Sequence, residues 1–561
     1  MVIERIWGGE GRAPALKRLT IIALLAASMG LAGAFSLPPL DRDESRFAQA
    51  SAQMLESGDF ITIRFQQDER NKKPAGAYWL QAASVAMFSN AEAREIWAYR
   101  LPSILGAILA AMFTYCAVSR LLGASAGFVA AVLLASAPLF AGEATIAKTD
   151  MVLLATVTGA AAAMAHLLSA ARDGARRNLS VAIGFWVAIG AGILIKGPII
   201  ALVIFPAAAM IAARFPDTRP LMSLRPLLGV LILALMIGPW AIAINAATEG
   251  RFFEESFGAD MIAKLGAAQE SHGGPPGFHS LLAPILAFPL IALVPAGLHS
   301  AFALRRDFGP WFLLSWLVPG WILFELTATK LPHYVLPLYP ALAGIAAFAV
   351  FGAERSPRAL WRAGAAIFLA AGLAIAAAIV LLKATFALSD NVFLNLAKAL
   401  PLAVMTILSA WFFWRREPLK GTALSITASL TACLVLLASV LPGLKPLAIA
   451  PQISAALDRA GVHPLRDDGA PAALAGFYEP SAIFLLGTET RLGDGAIAAD
   501  NLLDNGGAAV VEARERAAFD ARLKQRGGRA ELIAEIEGFN YSKGDEVRLM
   551  IFRVAEMGSQ F

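Results

Sequence analysis

Charge is scarce in this chain: Asp, Glu, Lys and Arg make up 16% of its 561 residues, against 58% hydrophobic residues and a mean hydropathy of +0.63. No ordinary soluble domain of this length needs so apolar a composition to build its core, so most of the chain has lipid as its solvent. Cysteine is nearly absent. Cys116 and Cys433 both lie inside apolar runs, which excludes a disulfide framework and a cysteine metal site and leaves the redox compartment unreadable. Histidine is rare as well, with six in all. His272 and His279 flank a Gly-Gly-Pro-Pro-Gly turn at a spacing that matches no metal-ligand pattern, so neither a metal nor another cofactor is expected. The net charge of +5 would suit nucleic acid, but the arginines sit in short loops between apolar runs, so no nucleic-acid partner is expected. Internal repeats, heptad seams and low-complexity segments are missing too.

What is present is a series of apolar runs of bilayer-crossing length, near 19–38, 97–119, 123–140, 150–170, 179–195, 198–213, 224–246, 279–303, 310–327, 333–352, 361–383, 398–414 and 421–441. Thirteen spans are therefore expected. The first follows Arg12, Lys17 and Arg18 and reads as a span rather than a cleaved leader, because it is long and more spans follow. Alternate connections are basic: Arg120; Arg172, Arg176 and Arg177; Arg214, Arg219 and Arg225; Arg305 and Arg306; Arg355, Arg358 and Arg362; Arg415, Arg416 and Lys420. These belong in the cytoplasm, with the N-terminus, which puts the long loops 39–96 and 247–278 and the C-terminal part outside. The expected division is a transmembrane module over 1–445 and a soluble α/β domain over 446–561. In the latter, PQISAALDRAG and ARERAAFDARLKQR read as helices, and ALAGFY, GGAAVVE and EVRLMIFRV as strands.

Candidate chemistry sits in the outer segments. The stretch DRDESRFAQASAQMLESGDF has apolar residues at Phe47, Ala50, Met54 and Leu55 and reads as a helix lying on the membrane surface. Asp41, Asp43 and Glu44 open it. They are either helix caps or, for Asp43 and Glu44, functional carboxylates, since charge at a membrane boundary usually has a reason. Lys72 and Lys73 precede Pro74 and the pair Tyr78-Trp79, a pattern that serves membrane anchoring or, at Lys73, a phosphate contact. Lys330 stands equally between snorkelling and phosphate binding. Trp240, Trp311, Trp316, Trp321 and Trp411 read as interfacial belts.

Asp43-Glu44-Ser45-Arg46-Phe47, Gly58-Asp59, and Lys73-Pro74 with Tyr78-Trp79 resemble, in order and spacing, the first periplasmic loop of the aminoarabinose transferase (ArnT) family. Together with protein O-mannosyltransferases, that family belongs to the GT-C membrane glycosyltransferases. The resemblance continues through GEATIAKTDM with Asp150, KGP at Lys196, QESHGGPPGFH with His272, TKLPHYVLPLYP from Thr329 to Pro340, and GFNYSKGDEV. Departures are Phe47, where the family commonly has Tyr, and Ala75 after Lys73-Pro74, where it has a second Pro.

The resemblance implies a polytopic α-helical GT-C fold with a small C-terminal α/β domain, in a bacterial inner membrane, with site and domain in the periplasm. It implies transfer of a sugar from a polyprenyl-phosphate donor to lipid A, another envelope glycan or a protein hydroxyl. Such chemistry needs a carboxylate to accept the hydroxyl proton and cations for the departing phosphate. Asp43 is then the candidate base, Glu44 orients the site and Asp150 borders the acceptor cavity, while Lys73, His272, Lys330 and Tyr334 contact substrate. A transporter or lipid flippase is the rival class. It would show repeated halves and ionisable groups near mid-membrane, whereas the charges here gather at one face.

Overall fold

The computed structural model describes residues 12–175, 178–256, 273–386, 392–466 and 469–555. Among them, ten helices are long and apolar enough to cross a membrane, and the bent pair Ala124–Ala135 and Pro138–Ala144 brings the number to eleven. The chain is a multi-pass membrane protein. Two of the thirteen expected spans take another form: Ile199–Arg214 is a shorter apolar helix, and 279–303 is divided among Phe278–Leu286, Leu290–Ala292 and Val294–Ala303. Pro289 and Pro295 stand at its two breaks, where a missing N–H and a fixed φ end a helix. A 64° bend at Pro138 divides the other broken span in the same way.

Small residues let these helices approach closely, as expected where lipid leaves dispersion as the main attraction. A Cβ at Gly106 would lie 2.8 Å from the Met151 carbonyl oxygen, so the helices Ile96–Leu122 and Asp150–Arg172 pack backbone to backbone there. At one end of the bundle the short basic connections hold one another: Arg120 pairs with Asp173, Arg172 with Asp217, and Arg416 donates to the carbonyls of Ala353 and Ser356. The opposite end carries the long loops and the C-terminal domain.

That domain has a mixed five-stranded sheet. The first loop contributes only a two-stranded hairpin, β1 (Arg64–Phe65) with β2 (Asp68–Glu69). The sheet is built from β3 (Ala473–Ala475), β4 (Arg491–Gly493), β5 (Ala509–Glu512), β6 (Ala530–Asn540) and β7 (Asp545–Val554), in the order β4-β3-β5-β7-β6. β3 runs parallel to β4 and β5, while β7 is antiparallel to β5 and β6. The helices and three strands expected from the sequence are present. β6 was not among them because, as an edge strand, it alternates apolar residues with Glu531, Glu535 and Glu537 and reads as a charged loop.

Asp43–Ser57 is a helix, as its pattern predicts, but it does not lie on a lipid surface. Ser45, Gln49, Ser51 and Gln53 are buried along with Phe47, Ala50 and Met54, because the C-terminal domain covers one side of the helix at Gln49 and the first loop covers another, where Ser51 donates to Gln81 and Gln53 to the Gln66 carbonyl. Gln49 donates to Thr488 Oγ1 at 2.8 Å, Gln66 to the Thr490 carbonyl at 2.6 Å, and Phe484 joins Ala48, Ala52 and Tyr99 in one apolar cluster. The tryptophan expectation also needs correction. Trp316 is fully buried with its Nε1 donating to the Pro337 carbonyl, and Trp240 is buried against Phe252 and Trp79, so both are core residues.

Candidate active site

The first turn of Asp43–Ser57 holds neighbouring carboxylates with different surroundings. Glu44 is fully engaged. Its oxygens accept from Arg100 Nε and Nη2, both at 2.8 Å, from the Ala147 N–H at 2.8 Å and from the Leu40 N–H at 2.9 Å. Arg100, buried as completely, also donates to the carbonyls of Ala34, Leu37 and Pro38. This bidentate pair joins the end of the first span to the second span and to the turn before Asp150, so Glu44 acts by holding three segments in register. Asp41 does not cap its own helix. Its Oδ1 accepts the Ser481 N–H at 2.9 Å, in the first turn of Pro480–Leu486 of the C-terminal domain.

Asp43 faces basic side chains. Burial raises its carboxyl, but Lys148, His333, Arg70 and Arg46 outweigh that and hold it below the ordinary carboxylate range. It therefore stays ionised.

Beside it lies a buried polar cluster. Lys148 Nζ is 3.4 Å from Glu143 and 3.8 Å from Asp150, and Lys196 Nζ is 2.6 Å from Asp150. His333 bridges the two carboxylates, with Nδ1 3.6 Å from Glu143 and Nε2 3.7 Å from Asp150. Burial disfavours the charge on Lys148, yet Glu143, Asp150 and Asp43 together raise its pKa above the usual lysine range. Each member comes from a different element: the bent helix Pro138–Ala144, the turn after it, the starts of Asp150–Arg172 and Pro332–Leu338, and the end of Leu179–Lys196.

Asp43 and Asp150 thus meet around Lys148, and Tyr334 borders the cluster with its ring 5.7 Å from Lys196 Nζ. Lys73 lies half-buried in the turn before the helix Gly76–Phe88, beside an exposed Lys72. Gly76 brings that turn against the end of the helix that carries Lys196: a Cβ there would lie 2.7 Å from the Leu194 carbonyl oxygen. Lys330 is placed differently. Its ammonium donates to the carbonyls of Gly274 (2.8 Å) and Thr327 (2.5 Å), fastening two loop ends that also pair through Gly273 and Thr329. His272 lies outside the described residues. Among those residues, no group of three or more His, Cys, Asp or Glu is arranged to hold a metal ion.

Several motif residues prove architectural. Gly58 ends its helix in the left-handed region, and Asp59 Oδ1 accepts the N–H groups of Ile61 and Thr62 to form the turn that follows. Phe47 stacks on Tyr78 at 5.0 Å beneath the Arg70 guanidinium, in a packed cluster where a hydroxyl is not needed. Glu143, Lys148 and His333 escaped the sequence reading. Glu143 and Lys148 stand seven and two residues before Asp150 in the GEATIAKTDM string, and His333 adjoins Tyr334; charge inside otherwise apolar runs was the available signal.

Residues 72–242 match the family described as dolichyl-phosphate-mannose-protein mannosyltransferase. An undecaprenyl phosphate-alpha-4-amino-4-deoxy-L-arabinose arabinosyl transferase of Pseudomonas aeruginosa is 30% identical over 342 residues, which are 58% of this chain and 59% of that protein. The chain thus spans 59% of that relative's length in the match. The corresponding protein of Erwinia tasmaniensis is 28% identical over 66% of each chain. Among solved structures, ArnT from Cupriavidus metallidurans bound to undecaprenyl phosphate superposes with a TM-score of 0.73 at 18% identity, covering 97% of this chain and 99% of that one. In fold this chain is similar to that ArnT over nearly its full length, and in sequence it is similar to the arabinosyl transferases over somewhat more than half of its length.

Proposed function

We propose that this protein transfers a sugar from a polyprenyl-phosphate carrier to a hydroxyl of lipid A or another envelope glycan. The observation that carries the reading is the ionised Asp43 among Arg46, Arg70, Lys148 and His333, on an ArnT-like fold. In this reaction the acceptor oxygen bonds to the anomeric carbon as the bond from that carbon to the phosphate oxygen breaks. The hydroxyl proton passes to Asp43, and the polyprenyl phosphate leaves with its extra negative charge facing the cations. Lys73 is our candidate contact to that phosphate, with Tyr334 and Asp150 bordering the acceptor. An apolar groove of about 950 Å³, lined by Leu80, Met87, Leu105, Phe113 and Val187, adjoins the helix that begins just after Lys73-Pro74 and suits a hydrocarbon tail.

We place the site and the C-terminal domain on the periplasmic face of a bacterial inner membrane, since the basic connections gather at the other end. The match to a family described by protein mannosylation favours one second reading, in which the same donor class serves a protein hydroxyl. Mass spectrometry of lipid A, glycans and envelope proteins from a deletion strain separates them. Loss of a sugar from a glycan supports the first, loss from a protein supports the second, and no change in any fraction counts against both.

A further inference from the structure

We propose that the C-terminal domain is a working part of the active site, with Tyr541 and Glu479 acting as positioning residues for Asp43 through the two residues that precede it. The inference rests on the reading of Asp43 given above. Asp41 and Arg42 are gripped on three sides by the C-terminal domain. The Asp41 N–H donates to Tyr541 Oη at 2.7 Å, Asp41 Oδ1 accepts the Ser481 N–H at 2.9 Å, and Arg42 Nη2 donates to the Ser542 carbonyl at 2.8 Å. Arg42 Nε also lies 3.7 Å from the carboxylate of Glu479.

The grip is itself built in advance. Glu479 is buried and accepts from Asn540 Nδ2 at 2.9 Å, and Asn540 Oδ1 in turn accepts the Ser542 N–H at 3.0 Å, fixing the β6–β7 turn that presents Tyr541 and Ser542. That turn is the GFNYSKGDEV segment, for which the transfer chemistry has no other use. Farther along the same helix, Gln49 donates to Thr488 and Thr488 to Glu56, so the domain holds the helix along its length as well as at its start.

The geometry makes the coupling direct. Arg42 is bonded directly to Asp43 and Asp41 stands one residue farther, so a shift at either bears on the Asp43 backbone. On its far side Glu44 is fixed by Arg100, Ala147 and Leu40, so Asp43 lies between one anchor in the membrane module and one in the C-terminal domain. A carboxylate that must meet a hydroxyl proton while that hydroxyl's oxygen meets the anomeric carbon needs such two-sided support, because a misplacement of about 1 Å can cost roughly a hundredfold in rate.

The test uses the full-length protein in detergent or liposomes with an undecaprenyl-phosphate sugar, and compares Tyr541→Phe and Arg42→Gln with wild type and with Asp43→Asn. Tyr541 is partly exposed and Phe keeps its ring, so Tyr541→Phe removes the hydroxyl without opening the core. We expect kcat to fall about tenfold in both positioning variants while the donor KM stays within about twofold and melting stays near wild type. A purely adhesive role predicts lower melting with wild-type kcat per folded molecule, and that result overturns the inference. So does a large rise in KM at constant kcat. An inactive Asp43→Asn beside wild-type kcat in Tyr541→Phe and Arg42→Gln defeats the coupling alone, whereas wild-type turnover in Asp43→Asn defeats the base assignment and the coupling with it.

Discussion

Two regions at the loop-bearing end of the bundle use charge in different ways. In the segment 273–331, Lys330 donates to the carbonyls of Gly274 and Thr327, and Glu325 accepts from the Gly277 N–H and from both the N–H and the hydroxyl of Ser280. In the first loop and its neighbours, Asp43, Glu143, Lys148, Asp150, Lys196 and His333 face mainly one another's side chains. Charge satisfied by backbone groups is committed to architecture, because the backbone cannot turn away without unfolding. Charge satisfied by other ionic side chains can be redistributed toward a charged substrate. Glu44 and Asp43 show both behaviours in consecutive residues.

The largest effect should come from breaking the architectural kind where it is most buried. Glu44→Gln leaves Arg100 without its charge partner, which typically costs about 3–5 kcal/mol, so the variant should show a large loss in denaturant or thermal unfolding. Next comes the phosphate side. Lys73→Met should lower turnover about a hundredfold with unchanged melting, Lys73→Arg should keep part of the activity, and Lys72→Met should be close to wild type. Equal losses at Lys72 and Lys73 in a donor-turnover assay would reduce Lys73 to an anchor.

Lys330→Met should be milder and of the other kind, with about 2 kcal/mol of stability lost and kcat of the folded protein kept. The smallest effect concerns pH. Asp41 is pushed up to about 6 by burial, with Glu479 adding to the rise and Ser481 and Arg42 opposing it. A raised carboxyl favours the folded state when protonated, so this contribution is full below the ordinary value of 3.8 and is lost as pH rises through about 6. Melting of the wild type should therefore fall between about pH 4 and about pH 7 relative to Asp41→Asn, and parallel curves would remove Asp41 as the source.

The bundle was legible in the sequence because each span needs only length and apolar character, and the basic connections made the order checkable. The exceptions have local causes: Pro289 and Pro295 divided one run that hydropathy alone joins, and β6 hid among its glutamates. The site was legible in part. Asp43, Asp150 and Tyr334 lie in or beside the charged cluster, while for Asp43 and Glu44 the sequence leaves cap and functional carboxylate equally open. Their separate surroundings were not readable, because the partners Arg100, Ala147, Lys148 and His333 are distant in the chain. Burial of the helix Asp43–Ser57 was hidden in part for the same reason, since the cover at Gln49 lies more than 400 residues away.

The central claim is that Asp43 is the carboxylate left for chemistry while its neighbour is fixed by architecture. Asp43→Asn keeps the size and removes the basicity, and it should melt like wild type while losing about a hundredfold or more of turnover with an undecaprenyl-phosphate sugar. Wild-type turnover by folded Asp43→Asn protein would contradict the account.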